Sequence, residues 1–124
     1  NQPVVHLVGD GSFNYAPVTS ALGFAQEYHL PVLTIVFNNS SYRAMKSALL
    51  RLYPKGCATR TQTFYGAAIT PTPDYAQLMK AFDAYGERVS DPEEIAAALS
   101  RAWAEIQQGR SALLDVILDA EDPR

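Results

Sequence analysis

Cysteine is almost missing from this chain of 124 residues; there is one, Cys57. A lone thiol excludes any internal disulfide and points to a reduced, cytoplasmic setting. A dominant charge is missing too. Ten Lys and Arg stand against 13 Asp and Glu, a net charge of −3 with no basic cluster, which argues against a nucleic-acid partner. No apolar run approaches the ~18 residues of a membrane span, and no signal-peptide pattern opens the sequence, so no membrane is expected. No internal repeat or low-complexity tract interrupts the chain. No capping element precedes the first apolar run, because Asn1-Gln2-Pro3 leads straight into it. We therefore expect residues 1–124 to be one domain of a longer chain. What is present, 48% hydrophobic and 19% charged residues, suits one ordinary domain with a modest core.

The apolar runs at residues 4–8 and 32–37 are short, β-branched and bounded by turn residues, which predicts two buried parallel strands. Between them a helix is expected over residues 14–28, with Val18, Ala21, Leu22 and Ala25 on its inner face. Pro17 is tolerable only in a first turn, so the helix should start between Ser12 and Ala16. His6 is read as packed core, His29 as a helix-end surface residue and Cys57 as incidental. A second helix after Asn38-Asn39-Ser40-Ser41 should turn Tyr42, Met45, Leu49, Leu52 and Tyr53 inward, with Pro54 stopping it. Residues 55–73 show no periodicity and are expected to form a long loop that covers a site or touches a partner. Asp74 should cap a helix burying Tyr75, Leu78, Met79 and Phe82, closed by Gly86. A short strand is expected at residues 87–89. Asp91-Pro92-Glu93-Glu94 opens another helix, with Ile95, Leu99, Ala102, Trp103 and Ile106 buried. The last strand covers residues 112–118, and residues 119–124 read as a solvated tail. The alternation predicts an α/β fold: an open, mainly parallel sheet with helices on both faces.

The chemistry gathers where two strands end. Gly9-Asp10-Gly11-Ser12 follows the first run and Asn38-Asn39 follows the second. In open α/β sheets, ligands sit at the carboxyl ends of the strands. A carboxylate and an amide delivered to neighbouring ends can share one hard cation through oxygen. Glycines let backbone approach a ligand closely, and a helix start presents N–H groups to an anion. Together these features describe a magnesium-diphosphate site. Asp10 alone would read as a turn cap, and Ser12 as a helix cap. Tyr42 is equally readable as core.

Gly9-Asp10-Gly11-Ser12 with Asn38-Asn39 at this spacing resembles the thiamine-diphosphate enzymes, closest to the acetohydroxyacid synthase, pyruvate decarboxylase and benzoylformate decarboxylase branch. The resemblance extends through Ser12-Phe13-Asn14-Tyr15, Leu30-Pro31-Val32, Ser40-Ser41-Tyr42, Asp74-Tyr75, Phe82, Asp91-Pro92-Glu93-Glu94 and the closing strand. It implies that the whole chain is the C-terminal diphosphate-binding domain, with thiamine diphosphate and Mg2+ as cofactors. It makes Asp10, the side-chain oxygen of Asn39 and the backbone carbonyl of Ser41 the metal ligands. Gly9, Gly11, Ser12 and Tyr42 would meet the diphosphate, while Asn38 braces the turn. Ala44, Met45 and Ala48 would face the substrate pocket. The span between the motif halves looks slightly longer than in near relatives, and we place the extra residues near Ala16-Pro17-Val18.

The resemblance implies a 2-oxo acid decarboxylase or carboligase in which the cofactor carries the bond chemistry and this domain anchors it. No catalytic residue is therefore expected in this chain, which should be inactive alone. An N-terminal pyrimidine-binding domain with its activating glutamate must come from the same or a companion chain. A homo-oligomer, dimer or tetramer, is also expected. The alternative is a non-catalytic cofactor-binding or assembly module that keeps the site without that glutamate. A receiver- or flavodoxin-like signalling domain ranks far lower, because only Asp10 is acidic near the first strand.

Overall fold

The apolar runs become four strands: β1 (Val4–Gly9), β2 (Val32–Asn38), β3 (Tyr85–Val89) and β4 (Ala112–Ile117). The structure, a computed structural model, describes residues 2–118. The expected solvated tail at residues 119–124 lies outside the described residues, as does Asn1. The strands form one wholly parallel sheet in the order β1-β2-β4-β3. Val8 is level with Val36, and Gly9 with Phe37, so β1 and β2 end flush. That register brings Asp10 and Asn38-Asn39 to one edge of the sheet.

Alternation along each strand divides the core into two layers. On one face α6 (Ile95–Gln107) lays Ala98, Ala102 and Ile106 over Leu33, Leu114 and Val116. Its small residues let the helix sit close to the sheet. On the other face Phe13, Tyr75 and Met79 pack on Val36 and Leu113. These come from α1 (Asp10–Tyr15) and from α5 (Tyr75–Leu78) with the 3-10 turn Met79–Phe82 that continues it. The Phe13 ring meets Tyr75 edge-on at 5.2 Å. Burying one such large side chain contributes roughly 1.5–3 kcal/mol. The two expected caps are in place: Asp74 accepts from the Gln77 N–H at 3.3 Å, and Asp91 from the Glu93 N–H at 2.9 Å.

Several expectations are corrected. The single helix over residues 14–28 is two helices, α1 and α2 (Val18–Glu27), and the first begins at Asp10. Pro17 forces the break: Ala16 before it is extended (ψ 152°), as the proline ring requires of its predecessor. The run at residues 4–8 is a strand but not a buried one. It is the sheet edge, with Val4, Val5 and Leu7 at least half exposed, and His6 is exposed with them.

The stripe of α3 (Arg43–Leu52) does not turn inward either. Met45, Leu49, Leu52 and the following Tyr53 are exposed, because α3 stands off the sheet rather than packing on it. Trp103 is not buried but about a third exposed (36%), and Ala98 takes the buried position expected of it. Gly86 does not close a helix. It lies inside β3, where a Cβ would fall 2.1 Å from the Ala76 carbonyl oxygen, so a glycine is needed for α5 to sit on that strand. Asp83 (φ +49°) ends the helical segment instead.

Residues 55–73 are not wholly irregular. They hold the short α4 (Cys57–Thr61), and their returning limb pairs with the turn after β2. The Ile69 N–H donates to Ser40 O and the Tyr42 N–H to Ala67 O, both at 2.8 Å. This limb therefore braces the turn rather than roofing it. Among the described residues, no helix is long and apolar enough to cross a membrane.

Candidate cofactor site

Asp10 sits at the first position of α1, directly after the last residue of β1, and is only 2% exposed. Burying a carboxylate is costly unless donors meet it. Here Oδ1 accepts from the Gly11 N–H at 2.9 Å and Oδ2 from the Ser41 N–H at 3.2 Å. The same Ser41 N–H lies 3.1 Å from Asn39 Oδ1. Two side chains from two strand ends thus converge on one backbone donor, and their oxygens lie no farther apart than those two bonds laid end to end. The Ser41 hydroxyl adds a longer contact to Asn39 Oδ1 at 3.4 Å.

Gly11 completes this corner. A Cβ there would fall 2.8 Å from Tyr42 Cδ1 and 3.8 Å from the Ser41 carbonyl oxygen. The Tyr42 ring therefore lies against bare backbone, and the Ser41 carbonyl sits beside it. Tyr15 packs on Tyr42 with ring centroids 5.3 Å apart, and Asn14 Nδ2 reaches the Tyr42 hydroxyl at 3.5 Å.

These residues line a cavity of about 290 Å³. Gly9, Asp10, Gly11 and Ser12 line it from the end of β1, and Asn39, Ser41 and Tyr42 from the end of β2. Ala44 and Met45 also line it; Ala48, one turn farther along α3, does not. Tyr15, Phe37, Arg43 and Leu118 also line it, and none of the four is a site residue in the reading from sequence. Arg43 carried a signal, as a cation one residue beyond the motif.

The donor set is all oxygen: one carboxylate, one amide and one backbone carbonyl. Among the described residues there is no cluster of three or more His, Cys, Asp or Glu. Such a sparse set suits a small hard cation that keeps waters and phosphate oxygens in its shell, and not a soft metal. An ionised carboxylate has about four acceptor positions. The two N–H donors named above leave Asp10 further lone pairs on the cavity wall.

Asn38 does not face the cavity. Fully buried, it accepts from the Ser40 N–H through Oδ1 at 3.1 Å and donates through Nδ2 to Asp115 Oδ1 at 2.9 Å. Asp115 was missed in the sequence, although a charged residue inside the apolar run at residues 112–117 was the clue. It is fully buried, its Oδ2 lies 3.6 Å from Arg88 Nε, and burial raises its pKa above the ordinary carboxylate value.

Residues 1–116 match the family model of the thiamine pyrophosphate enzyme C-terminal TPP binding domain. The acetolactate synthase large subunit of Buchnera aphidicola from Schlechtendalia chinensis is 25% identical, over 98% of this chain and 20% of that protein. The 3D-(3,5/4)-trihydroxycyclohexane-1,2-dione hydrolase of Halalkalibacterium halodurans is 31% identical over 94% of this chain and 17% of its own length. Among solved structures, the thiamine diphosphate-dependent 4-hydroxybenzoylformate decarboxylase of Rhodococcus jostii RHA1 superposes with a TM-score of 0.76 and 27% identity. That superposition covers 96% of this chain and 20% of the decarboxylase. The benzoylformate decarboxylase of Polynucleobacter necessarius gives 0.72 and 25%, over 98% and 20%. The chain spans about a fifth of the length of these relatives.

Proposed function

Because this chain belongs to the C-terminal TPP-binding domains of the thiamine pyrophosphate enzymes, we propose that its cavity anchors the magnesium-diphosphate end of thiamine diphosphate. Asp10, the Asn39 side-chain oxygen and the Ser41 carbonyl would hold the ion. Gly9, Gly11, Ser12 and Tyr42 would meet the diphosphate oxygens. The observation that carries this reading is the convergence of Asp10 and Asn39 on the Ser41 N–H.

When bound, thiamine diphosphate supplies a carbon nucleophile that adds to the carbonyl of a 2-oxo acid, so that carbon dioxide can leave or a second carbonyl be joined. The chain's own work is to fix the cofactor tail and to hold the ion that would offset its charge. It thereby turns a bimolecular encounter into a positioned one. Ala44 and Met45, which line the cavity, would border the substrate, and the two methylenes and sulfur of Met45 would adapt to its shape. Ala48 is a weaker candidate, being off the cavity wall.

The complete protein would be a decarboxylase or carboligase, with residues 1–124 as one domain of it and inactive alone. A pyrimidine-binding domain with its activating glutamate would complete the active site, in this polypeptide or in a companion. The apolar surface of β1 and α3 supports a neighbour of that kind, and a homo-oligomer.

Carbon dioxide release across a panel of 2-oxo acids tests the reaction, using the protein as encoded. Magnesium-dependent binding of thiamine diphosphate tests the site. Binding without turnover of any 2-oxo acid would favour the non-catalytic module; no magnesium-dependent binding would remove the reading altogether.

A further inference from the structure

Asp115 occupies the middle of β4, level with Val36 on β2 and with Arg88 on β3. Its neighbours Leu114 and Val116 are core, and the carboxylate itself is wholly buried. An apolar side chain would fill this place without the desolvation cost of a carboxyl group. Its Oδ2 has no hydrogen-bond partner, and Arg88 stands off at 3.6 Å. Its Oδ1 accepts from Asn38 Nδ2 at 2.9 Å, and the Tyr75 backbone also bonds toward this carboxyl group. Asp115 does not line the cofactor cavity.

The other end of the Asn38 amide holds the Ser40 N–H. Ser40 has φ +57°, a left-handed conformation that a serine rarely takes unaided. The turn that carries Asn39 and Ser41 therefore needs an external hold. The Asp115 oxygen that accepts from Nδ2 turns that end of the Asn38 amide toward β4 and leaves Oδ1 to the turn. A neutral amide at position 115 could donate or accept and would dictate neither.

Resting on the site reading above, we infer that Asp115 is a positioning residue for the cofactor site, setting the Asn38 amide and through it the turn that presents Asn39 and Ser41. It touches neither ion nor diphosphate. Its effect reaches them through two hydrogen bonds in series.

The test compares Asp115→Asn, Asn38→Ala, their double variant and Asp10→Ala with the unaltered protein as encoded. Two quantities are read: amide hydrogen exchange without cofactor at Ser40 and Ala102, and affinity for thiamine diphosphate at fixed magnesium by calorimetry. Asp115→Asn is expected to speed exchange at Ser40 about tenfold and to weaken binding by about the same factor, while Ala102 in α6 stays protected. Asn38→Ala should do likewise, and the double variant should be no worse than the worse single one, since both cut one chain of contacts. Unchanged Ser40 exchange and affinity in Asp115→Asn, with Asp10→Ala impaired, overturns the positioning role and leaves the site reading standing. Equal loss of protection at Ser40 and Ala102 makes Asp115 a residue of the fold alone and overturns it as well. Undiminished binding in Asp10→Ala removes the site reading and this inference with it.

Discussion

Asp10 and Asn39 share a single hydrogen-bond donor, the Ser41 N–H, at 3.2 Å from the carboxylate and 3.1 Å from the amide oxygen. This convergence follows from strand register. Gly9 and Phe37 are level, so each motif leaves the sheet at the same height and from adjacent strands. A shared N–H holds two oxygen dipoles in place that would otherwise repel each other. The corner is therefore organised without any ligand, and if it holds the proposed ion, less ordering remains to oppose binding.

Thermal melting checks this arrangement. Magnesium and thiamine diphosphate together should raise the melting temperature, because a ligand at 100 times its Kd stabilises by about 2.7 kcal/mol. Either alone should shift it far less. With Asp10→Ala the joint shift should vanish. A full shift in that variant would place the site elsewhere.

Two glycines should fail in different ways when a methyl group is added. Gly86→Ala pushes a Cβ to within 2.1 Å of the Ala76 carbonyl oxygen, where backbone must move. A loss of at least about 2 kcal/mol in denaturant unfolding is expected, in line with overpacking at a rigid contact. Gly11→Ala meets the Tyr42 ring at 2.8 Å, and a ring can swing aside. It should weaken cofactor binding more than it lowers stability. Equal stability losses in the two variants would contradict this division.

The strands, the two aspartate caps and the pairing of Asp10 with Asn39 could all be read from the residues, since each depends on local pattern and on spacing. What escaped depends on what lies next to a segment. The valines of β1 and the leucines of α3 are as apolar as core residues, and nothing in their pattern says that the domain leaves them uncovered. Pro17 sits not inside the first turn of a helix that starts between Ser12 and Ala16 but just before α2, as its N-cap, because the chain has already coiled once from Asp10. Asp115 passed unnoticed because one charge in a strand pattern reads as a solvent-facing position. In this strand both faces are covered, and the charge is buried.

The exposed stripe of α3 yields a prediction about assembly. Leu52 is 67% exposed and Met45 62%. Leu52→Glu should leave stability within about 0.5 kcal/mol, as surface changes away from the core do. If α3 meets another subunit, a buried unpaired charge would oppose that contact. Sedimentation of the protein as encoded should then show a smaller assembly than the unaltered protein forms. An identical sedimentation profile would mean that α3 holds no subunit contact in the working protein.

The last prediction concerns pH and the pair on the opposite face of the sheet. Glu87 on β3 accepts from Arg101 of α6 through both oxygens, Nη2 to Oε1 at 2.5 Å and Nε to Oε2 at 3.1 Å. The Tyr85 hydroxyl also donates to it. The Arg101 bond lowers the Glu87 pKa below its ordinary value of 4.5, against the opposing effect of burial. A carboxyl group with a lower pKa folded than unfolded adds stability that is complete above the unfolded value. That stability is lost as pH falls through the folded value. Arg101 is held further above its ordinary range and stays charged throughout. The buried Asp115 has the opposite sign, being raised, but it is present with or without Glu87 and cancels in a difference. Unaltered protein should therefore melt above Glu87→Gln near neutral pH, and the gap should close as the solution is acidified below the ordinary glutamate range. Added salt should narrow it as well, since Arg101 is half exposed. A gap that stays constant from neutral to strongly acid solution would show that Glu87 acts through packing and not through its charge.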